Sequence, residues 1–562
     1  MKFPTEGVPN MSRSGITRRE LIAKSASAGV IVGASGLGSQ ALHAAKPYSM
    51  KSSYSRLSRL FIIVLALIIF FPLYQAYADL SAGAHSIDIT PEKLPAIRNG
   101  GFTERIFNKV LDRLHARCFV LKSGDETIAI AVVDSCMIPR DVCHQAKALV
   151  NKQTGIPINR ILIASTHTHS APSVMNLCLG TSSDPNYEKF LPPKIAEGIV
   201  LAHKNLEPAR VGVTVVDAQD HTHCRRWLKH PDKYAPDPFG DKTIRAMMHP
   251  GYQNPDYIGE AGPVDTGLSM LSIQSADGKR PIALLANYSM HYFGAGGGFS
   301  ADYYGKFCDL MEKKISSSNS EKAPFVAAMS QGTSGDLHWM DYAKPKKENY
   351  GIDKYTGELA DIASAAYQKI EYQKSDTELA MAETTISLSR RLAGKKRLAW
   401  AAVLNKKRGD RRPKDRPEVY AEQVAWFADH PKESLVLQAV RIGDLAITAI
   451  PNEVYGITGL KLKAQSPFKT TFNMELANGA AGYIPPPEQH YLGGYTTWPA
   501  RTAGLETEAE PQIVDALLGL LEKLSGEKRK ALTSDFYNDQ QREAIRKAKA
   551  DDNNRANRGL EN

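Results

Sequence analysis

Residues 127–165 constrain the fold more than any other stretch. Residues 127–134 (TIAIAVVD) are apolar at almost every position and rich in β-branched side chains, the composition of a strand buried on both faces. Residues 140–153 carry helical spacing and stop ahead of Thr154-Gly155, and residues 159–165 (NRILIAS) form a second apolar strand. Strand, helix and strand within roughly 40 residues make a crossover unit, which places the chain in the α/β class. Further strands are expected at 84–90, 116–121, 209–216, 268–274, 282–287, 324–330, 436–440 and 445–450, and helices at 187–204, 303–317, 357–372 and 510–524. With no internal repeat, residues 79–525 read as a single large mixed-sheet domain with flanking helices. Residues 218–265, rich in Pro, Asp, Gly and aromatics, read as a long ordered loop of the kind that rims a site.

Composition excludes several classes. Of 562 residues 43% are hydrophobic and 23% charged, an ordinary globular mixture that rules out a disordered, collagenous or multi-span membrane protein. The formal charge of +10 invites a nucleic-acid reading, but most of the excess lies in residues 1–78, and a near-neutral remainder offers no general phosphate-binding surface. That basic segment reads as addressing. Arg18-Arg19 ahead of a mild Gly/Ala-rich apolar run resembles a twin-arginine export signal over residues 14–45. A second address over 50–78 has a basic start, an apolar core from Leu60 to Leu73 and a small-x-small end at Ala76-Tyr77-Ala78, the pattern of a cleavable secretory peptide. Fourteen apolar residues fall short of the ~20 that span a bilayer. Translation from Met50 would leave only the second signal. Either way the body is expected to be exported, to the periplasm, the cell envelope or the medium, and to start near Asp79.

Six cysteines with no Cys-x-x-Cys pair read as buried free thiols rather than a disulfide scaffold. The basic run 406–416 (KKRGDRRPKDR) reads as a solvated surface excursion, and the charged residues 526–562 as an exposed helical tail.

Chemistry concentrates at the carboxyl ends of strands, where α/β sheets bind ligands. Strand 159–165 runs into Thr166-His167-Thr168-His169-Ser170, whose imidazoles either converge on a metal or form hydrogen-bonded loop contacts. Strand 282–287 runs into Tyr288-Ser289-Met290-His291, and strand 445–450 into Pro451-Asn452-Glu453. Taken singly, His291 reads as a satisfied core histidine and Glu453 as a helix-start charge. Together, three strand ends presenting two imidazoles and a carboxylate make the donor set of a catalytic zinc. A fourth segment, Ser330-Gln331-Gly332-Thr333-Ser334-Gly335-Asp336-Leu337-His338, reads either as an oxyanion loop with a carboxylate that orients a ligand, or as a tight turn.

These residues resemble the neutral (non-lysosomal) ceramidases, zinc amidases that cleave N-acylsphingosines. The likeness covers roughly residues 80–524 and sits in Leu114-His115-Ala116-Arg117-Cys118-Phe119-Val120-Leu121, in Thr166-His167-Thr168-His169-Ser170 and in Ala286-Asn287-Tyr288-Ser289-Met290-His291. The resemblance implies His167, His291, Glu453 and Tyr483 as zinc ligands, with His169, Arg225 and Tyr495 touching the substrate carbonyl or oxyanion. It places Asp336 and His338 in the catalytic loop, where His338 stands at the position of a serine implicated in the family's catalysis. With that serine replaced, attack is expected from zinc-activated water, with His338 or His169 moving protons. Full-length relatives carry a C-terminal β-sandwich, where this chain has its charged tail.

The function implied is an exported zinc-dependent hydrolase of a small-molecule or lipid acyl amide, with no nucleic-acid partner; peripheral membrane contact is compatible with a lipid substrate. The alternatives are a non-catalytic metal- or ligand-binding envelope protein on the same fold, or a hydrolase of a smaller soluble amide or ester.

Overall fold

A computed structural model describes residues 80–316, 323–373 and 377–557. Both export signals lie outside the described residues, as does the end of the helix expected at 303–317. Among the described residues no helix is long and apolar enough to cross a membrane.

Twelve strands and nine helices position the site. The strands are β1 (Ser81–Asp88), β2 (His115–Ser123), β3 (Glu126–Val133), β4 (Ile161–Ser165), β5 (Glu207–Asp217), β6 (Gly267–Ser275), β7 (Pro281–Tyr288), β8 (Val326–Gln331), β9 (Leu379–Ser389), β10 (Lys432–Ile442), β11 (Leu445–Ala449) and β12 (Thr470–Met474). The helices are α1 (Arg140–Thr154), α2 (Pro185–Lys204), α3 (Asp302–Ile315), α4 (Ile352–Tyr367), α5 (Lys395–Arg408), α6 (Arg416–Asp429), α7 (Gly456–Gln465), α8 (Ala509–Ser525) and α9 (Asp539–Asn557).

An eight-stranded mixed sheet runs in the order β8-β7-β6-β5-β1-β2-β3-β4, and a four-stranded sheet in the order β9-β10-β11-β12. The pairs β3/β4, β7/β8 and β11/β12 are parallel. The larger sheet curls until its edge strands β4 and β8 come into contact. Alternation along its strands splits them between two cores. Phe119, Leu121, Ile130, Val132 and Leu162 point inward, where Val440, Ile447 and Phe472 of the smaller sheet meet them. Val120, Ala129, Ala131, Ile161 and Ile163 point outward against α1 and α2. Strands β6–β8 bury their outer face under α3 and α4, and the smaller sheet buries its outer face under α8. Strands apolar on both faces are therefore covered on both, as residues 127–165 demanded.

The sequence reading missed the smaller sheet's outer members β9 and β12 and the helices α5 to α7. Strand β9 alternates buried and exposed positions, so it lacks the continuous apolar run that marked the central strands. The basic run 406–416 spans the turn between α5 and α6. Residues 527–538 are not helical; α9 follows and docks by Ala544, Ile545 and Ala548 against Leu228 and Leu492, with Arg245 bonded to Asp552 at 2.8 Å. All six cysteines are buried free thiols.

A hydrogen-bonded seam ties the two sheets beside β4. Asn478 N–H donates to Ile163 O at 2.7 Å, Ile163 N–H to Asn478 Oδ1 at 3.2 Å, and Asn478 Nδ2 to Gln438 Oε1 at 2.7 Å. Gln438 Nε2 in turn donates to Ile161 O at 3.2 Å, and Ser165 N–H to Leu476 O at 3.2 Å. Asn478 adopts φ 61°, a left-handed conformation that asparagine tolerates better than alanine. Asn478→Ala leaves a buried N–H and a buried amide acceptor unpaired, and is expected to destabilise by about 2–4 kcal/mol; the shift in chemical-denaturation midpoint at unchanged slope measures it.

Candidate metal centre

His167 lies two residues beyond β4, His291 three beyond β7 and Glu453 four beyond β11. The curl of the larger sheet and the seam bring these three ends together, and the donor atoms of His167, His291 and Glu453 all lie within 4.8 Å of one another, buried. His167 Nε2 is 3.0 Å from His291 Nε2, 3.1 Å from His169 Nε2 and 3.3 Å from Glu453 Oε2.

The hydrogen bonds fix which nitrogen carries each proton. A carbonyl cannot donate, so His167 Nδ1 donates to Cys136 O at 2.8 Å and His169 Nδ1 to Gly100 O at 3.0 Å. Ser334 Oγ spends its single proton on Glu475 Oε1 at 2.8 Å, so it accepts from His291 Nδ1 at 3.3 Å. His167 and His291 thereby turn Nε2 toward Glu453, with His169 Nε2 beside that of His167. Burial first, with the neighbouring cationic and imidazole groups, holds His169 and His291 well below the usual histidine range. Glu453 Oε2 is buried with no hydrogen-bond donor, and its proximity to Nε2 of His167 brings none. Two imidazole nitrogens and a carboxylate oxygen brought this close in a buried setting make a donor set that a cation would satisfy. The donor set therefore fits a divalent metal, and imidazole with carboxylate suits zinc.

A cavity of about 440 Å³ opens onto this cluster. Of the residues singled out from sequence, His167, His169, Arg225, His291, Glu453, Tyr483 and Tyr495 all line it. Arg225 Nη2 donates to Gly335 O at 2.8 Å and to Tyr483 Oη at 3.2 Å, while its buried Nε has no partner. Burial works against the guanidinium charge, yet Tyr483 and Glu453 hold it above its ordinary value. Burial raises the phenols of Tyr483 and Tyr495 well above theirs. Tyr495 packs on Tyr483 and Phe102 with ring centroids 5.6 and 5.3 Å away.

Asp336 and His338 are brought near but do not line the cavity. Asp336 Oδ1 accepts from Gly456 N–H at 2.8 Å at the start of α7, and its carbonyl accepts from Arg225 N–H at 2.9 Å, so it fastens the segments that carry Glu453 and Arg225. Burial raises its carboxyl to about 6. It touches no ligand histidine, contrary to the orienting role read from sequence. His338 is fully buried with Nδ1 unpartnered, its ring 5.2 Å from His249 and 5.7 Å from Tyr292, both of which do line the cavity.

Sequence reasoning missed His249, Ser334's bond to His291, Glu475 and Gly100. His249 holds φ 56°, bonds through Nδ1 to Tyr342 Oη at 2.6 Å, and is pushed down to about 3 by burial and Arg225. It sits in the 218–265 segment, whose aromatic-rich loop character was the available signal. Gly100 has φ 98°, and a Cβ there would lie 2.6 Å from the His169 ring, so the ring's position requires glycine. Glu475 Oε2 accepts from Val454 N–H at 2.6 Å while Oε1 takes the Ser334 proton. One buried carboxylate thereby steadies His291 and the backbone beside Glu453. Burial raises Glu475 to about 8, with the Val454 and Ser334 donors opposing, so it is the ionised form, favoured as pH rises, that takes the Ser334 proton. Nothing in its sequence surroundings flags it, because its partners are 21 and 141 residues away.

Known proteins share part of this sequence and its fold. Residues 83–340 match the family model for neutral/alkaline non-lysosomal ceramidase, N-terminal. That segment contains His167, His169, Arg225 and His291; Glu453, Tyr483 and Tyr495 lie beyond it. The fold is similar to that of a neutral ceramidase from Pseudomonas aeruginosa, with TM-score 0.58 and 17% identity over 82% of this chain and 77% of that one. It is also similar to a ceramidase complexed with C2, with TM-score 0.60 and 16% identity over the same shares. A search of curated proteins gives no sequence match. The family match thus covers less than half of the chain, and the likeness to the solved structures is one of fold.

The relay through Ser334 and Glu475 sets an expectation that activity is not needed to test. Ser334→Ala and Glu475→Gln should each lower Zn²⁺ affinity about 10–100-fold, read by titration against a chelating dye, with far-UV circular dichroism unchanged.

Proposed function

We propose that the protein is an exported zinc-dependent hydrolase that cleaves the amide bond of an acyl-amide substrate by activated water. The observation that carries the reading is the convergence of His167 Nε2, His291 Nε2 and the donorless Glu453 oxygen at the base of a cavity. His167, His291 and Glu453 would hold the metal, with Tyr483 as the fourth donor that the family likeness implies. Zinc bound there supplies Lewis acidity that polarises a carbonyl and makes water a nucleophile near neutral pH.

The chain's own groups do the rest. Arg225 offers its unpartnered Nε to the charge developing on the carbonyl oxygen, in a buried setting where such a donor is worth most. Tyr495, held protonated by burial, offers a phenol O–H to the same oxygen. His169, stacked 3.7 Å from the Tyr292 ring and fixed through Nδ1, presents Nε2 to accept the proton of the attacking water and return it to the leaving nitrogen. His338 supports His249 and Tyr292 from behind rather than meeting substrate, so no side-chain nucleophile takes the place of the family's serine. Export is read from residues 14–45 and 50–78 and accords with a lipid-derived substrate met outside the cytoplasm.

Purified protein is expected to hold about one zinc per chain, lost in the His167→Ala/His291→Ala double variant, by elemental analysis. On a panel of acyl amides of graded chain length, His167→Ala should lose at least ~100-fold in kcat/KM, beyond what outer contacts usually cost. Full turnover by His167→Ala on any amide the wild type cleaves would sink the reading.

A further inference from the structure

The basic run 406–416 is not uniformly a solvated face. Arg408 pairs with Glu422, Arg411 with Glu418 and Arg412 with Glu104. Arg416 makes no ion pair among the described residues; its guanidinium lies over the Phe102 ring at 4.7 Å, and both residues line the cavity above the metal cluster. It is the first residue of α6, where the helix's own partial positive charge disfavours a cation and favours an anion. The neighbouring Asp415 carboxylate is turned to cap Glu418 N–H at 3.1 Å.

Arg416 and Met247 are shared with a second cavity, of about 400 Å³, that adjoins the first. There Lys229, half-buried, lies 4.1 Å over the Tyr257 ring and likewise makes no ion pair among the described residues. The single acid lining this second cavity, Asp237, spends its carboxylate on Phe239 N–H, Asp241 N–H and Thr243 Oγ1 at 2.9, 3.1 and 2.8 Å. The single acid lining the first is Glu453. Besides Arg225, two connected cavities thus hold two cations seated on aromatic rings and in ion-pair contact with no carboxylate among the described residues, and a concave, low-dielectric groove focuses such charge.

We propose that Arg416 and Lys229 form an anion-reading arm of the cavity, so that the amide this protein takes carries a carboxylate, sulfonate or phosphate group away from the bond that is cleaved. A neutral ceramide would leave both cations unanswered. The position of the scissile bond rests on the hydrolase reading; the anion-reading arm does not.

Binding tests the two separately. N-octanoylglycine and N-octanoylethanolamine, which differ in charge at the amine end, are titrated into the full-length purified protein by calorimetry at low salt. A second pair carries the charge at the acyl end: the N-ethylamide of octanedioic acid beside that of octanoic acid. In at least one pair the anion is expected to bind about tenfold tighter, as a charge-assisted contact provides, with a margin that narrows as salt is added. Arg416→Gln should cut that margin to about twofold or less, while Lys406→Gln, in the same run but lining neither cavity, should leave it intact. Equal affinities within both pairs, no detectable binding of either anion, or a margin that survives Arg416→Gln would each overturn the proposal. A persistent margin without hydrolysis of any ligand would instead remove the hydrolase reading and leave the arm standing.

Discussion

The site depends on the seam that joins the two sheets. His167 and His291 follow strands of the larger sheet, and Glu453 follows β11 of the smaller one, in a short strand where it pairs with Tyr483. Their donor atoms meet within 4.8 Å only because Asn478, Gln438 and the backbone of residues 475–478 lock the end of β12 against β4 and β8. These bonds are buried, and most of their members have no second partner to turn to. Sliding one sheet past the other would orphan several polar groups together, at a cost of roughly 1–3 kcal/mol each. The seam thus does for the site what a single rigid element does in smaller proteins: it fixes ligands that are far apart in sequence.

Around the ligands, polar groups are arranged so that each hydrogen is committed elsewhere. Cys136 O, Gly100 O and Ser334 Oγ take the Nδ1 protons of the three histidines, which leaves the facing nitrogens bare. Glu475 closes the arrangement from behind by accepting from Ser334 and from Val454 N–H. Arg225, with Nη2 tied to Gly335 and Tyr483, keeps a fixed positive charge beside the cluster at no cost in reorganisation. The same logic runs outward: paired arginines hold the α5–α6 turn in place, and the unpaired one faces the cavity.

How much of this could be read beforehand follows from what local sequence encodes. The strands carrying His167 and His291 were legible because a strand buried on both faces must be apolar throughout, and the His-x-His pair after the first is conspicuous. Strand β9 was not, because its alternation is that of a half-exposed strand, easily taken for a polar linker. Arg225, Tyr483 and Tyr495 were named only through family likeness; nothing in their own surroundings marks them. Glu475, Gly100 and His249 escaped altogether, since each acts through a partner distant in the chain.

By itself the sequence determined the α/β class, the central strands, the strand ends that bear the imidazoles and Glu453, and the burial of the cysteines. Those properties follow from periodicity and polarity over a few residues, where the hydrophobic effect acts on each segment separately. Only the tertiary structure decided that the sheet curls until β4 meets β8, that a second sheet supplies the carboxylate, that Asp336 and His338 stand behind the cavity wall, and that Arg416 faces the cavity while its neighbours pair. Those outcomes turn on which of many possible long-range partners a polar group finds once the cores have packed, and hydrogen bonds between residues hundreds of positions apart leave no local trace.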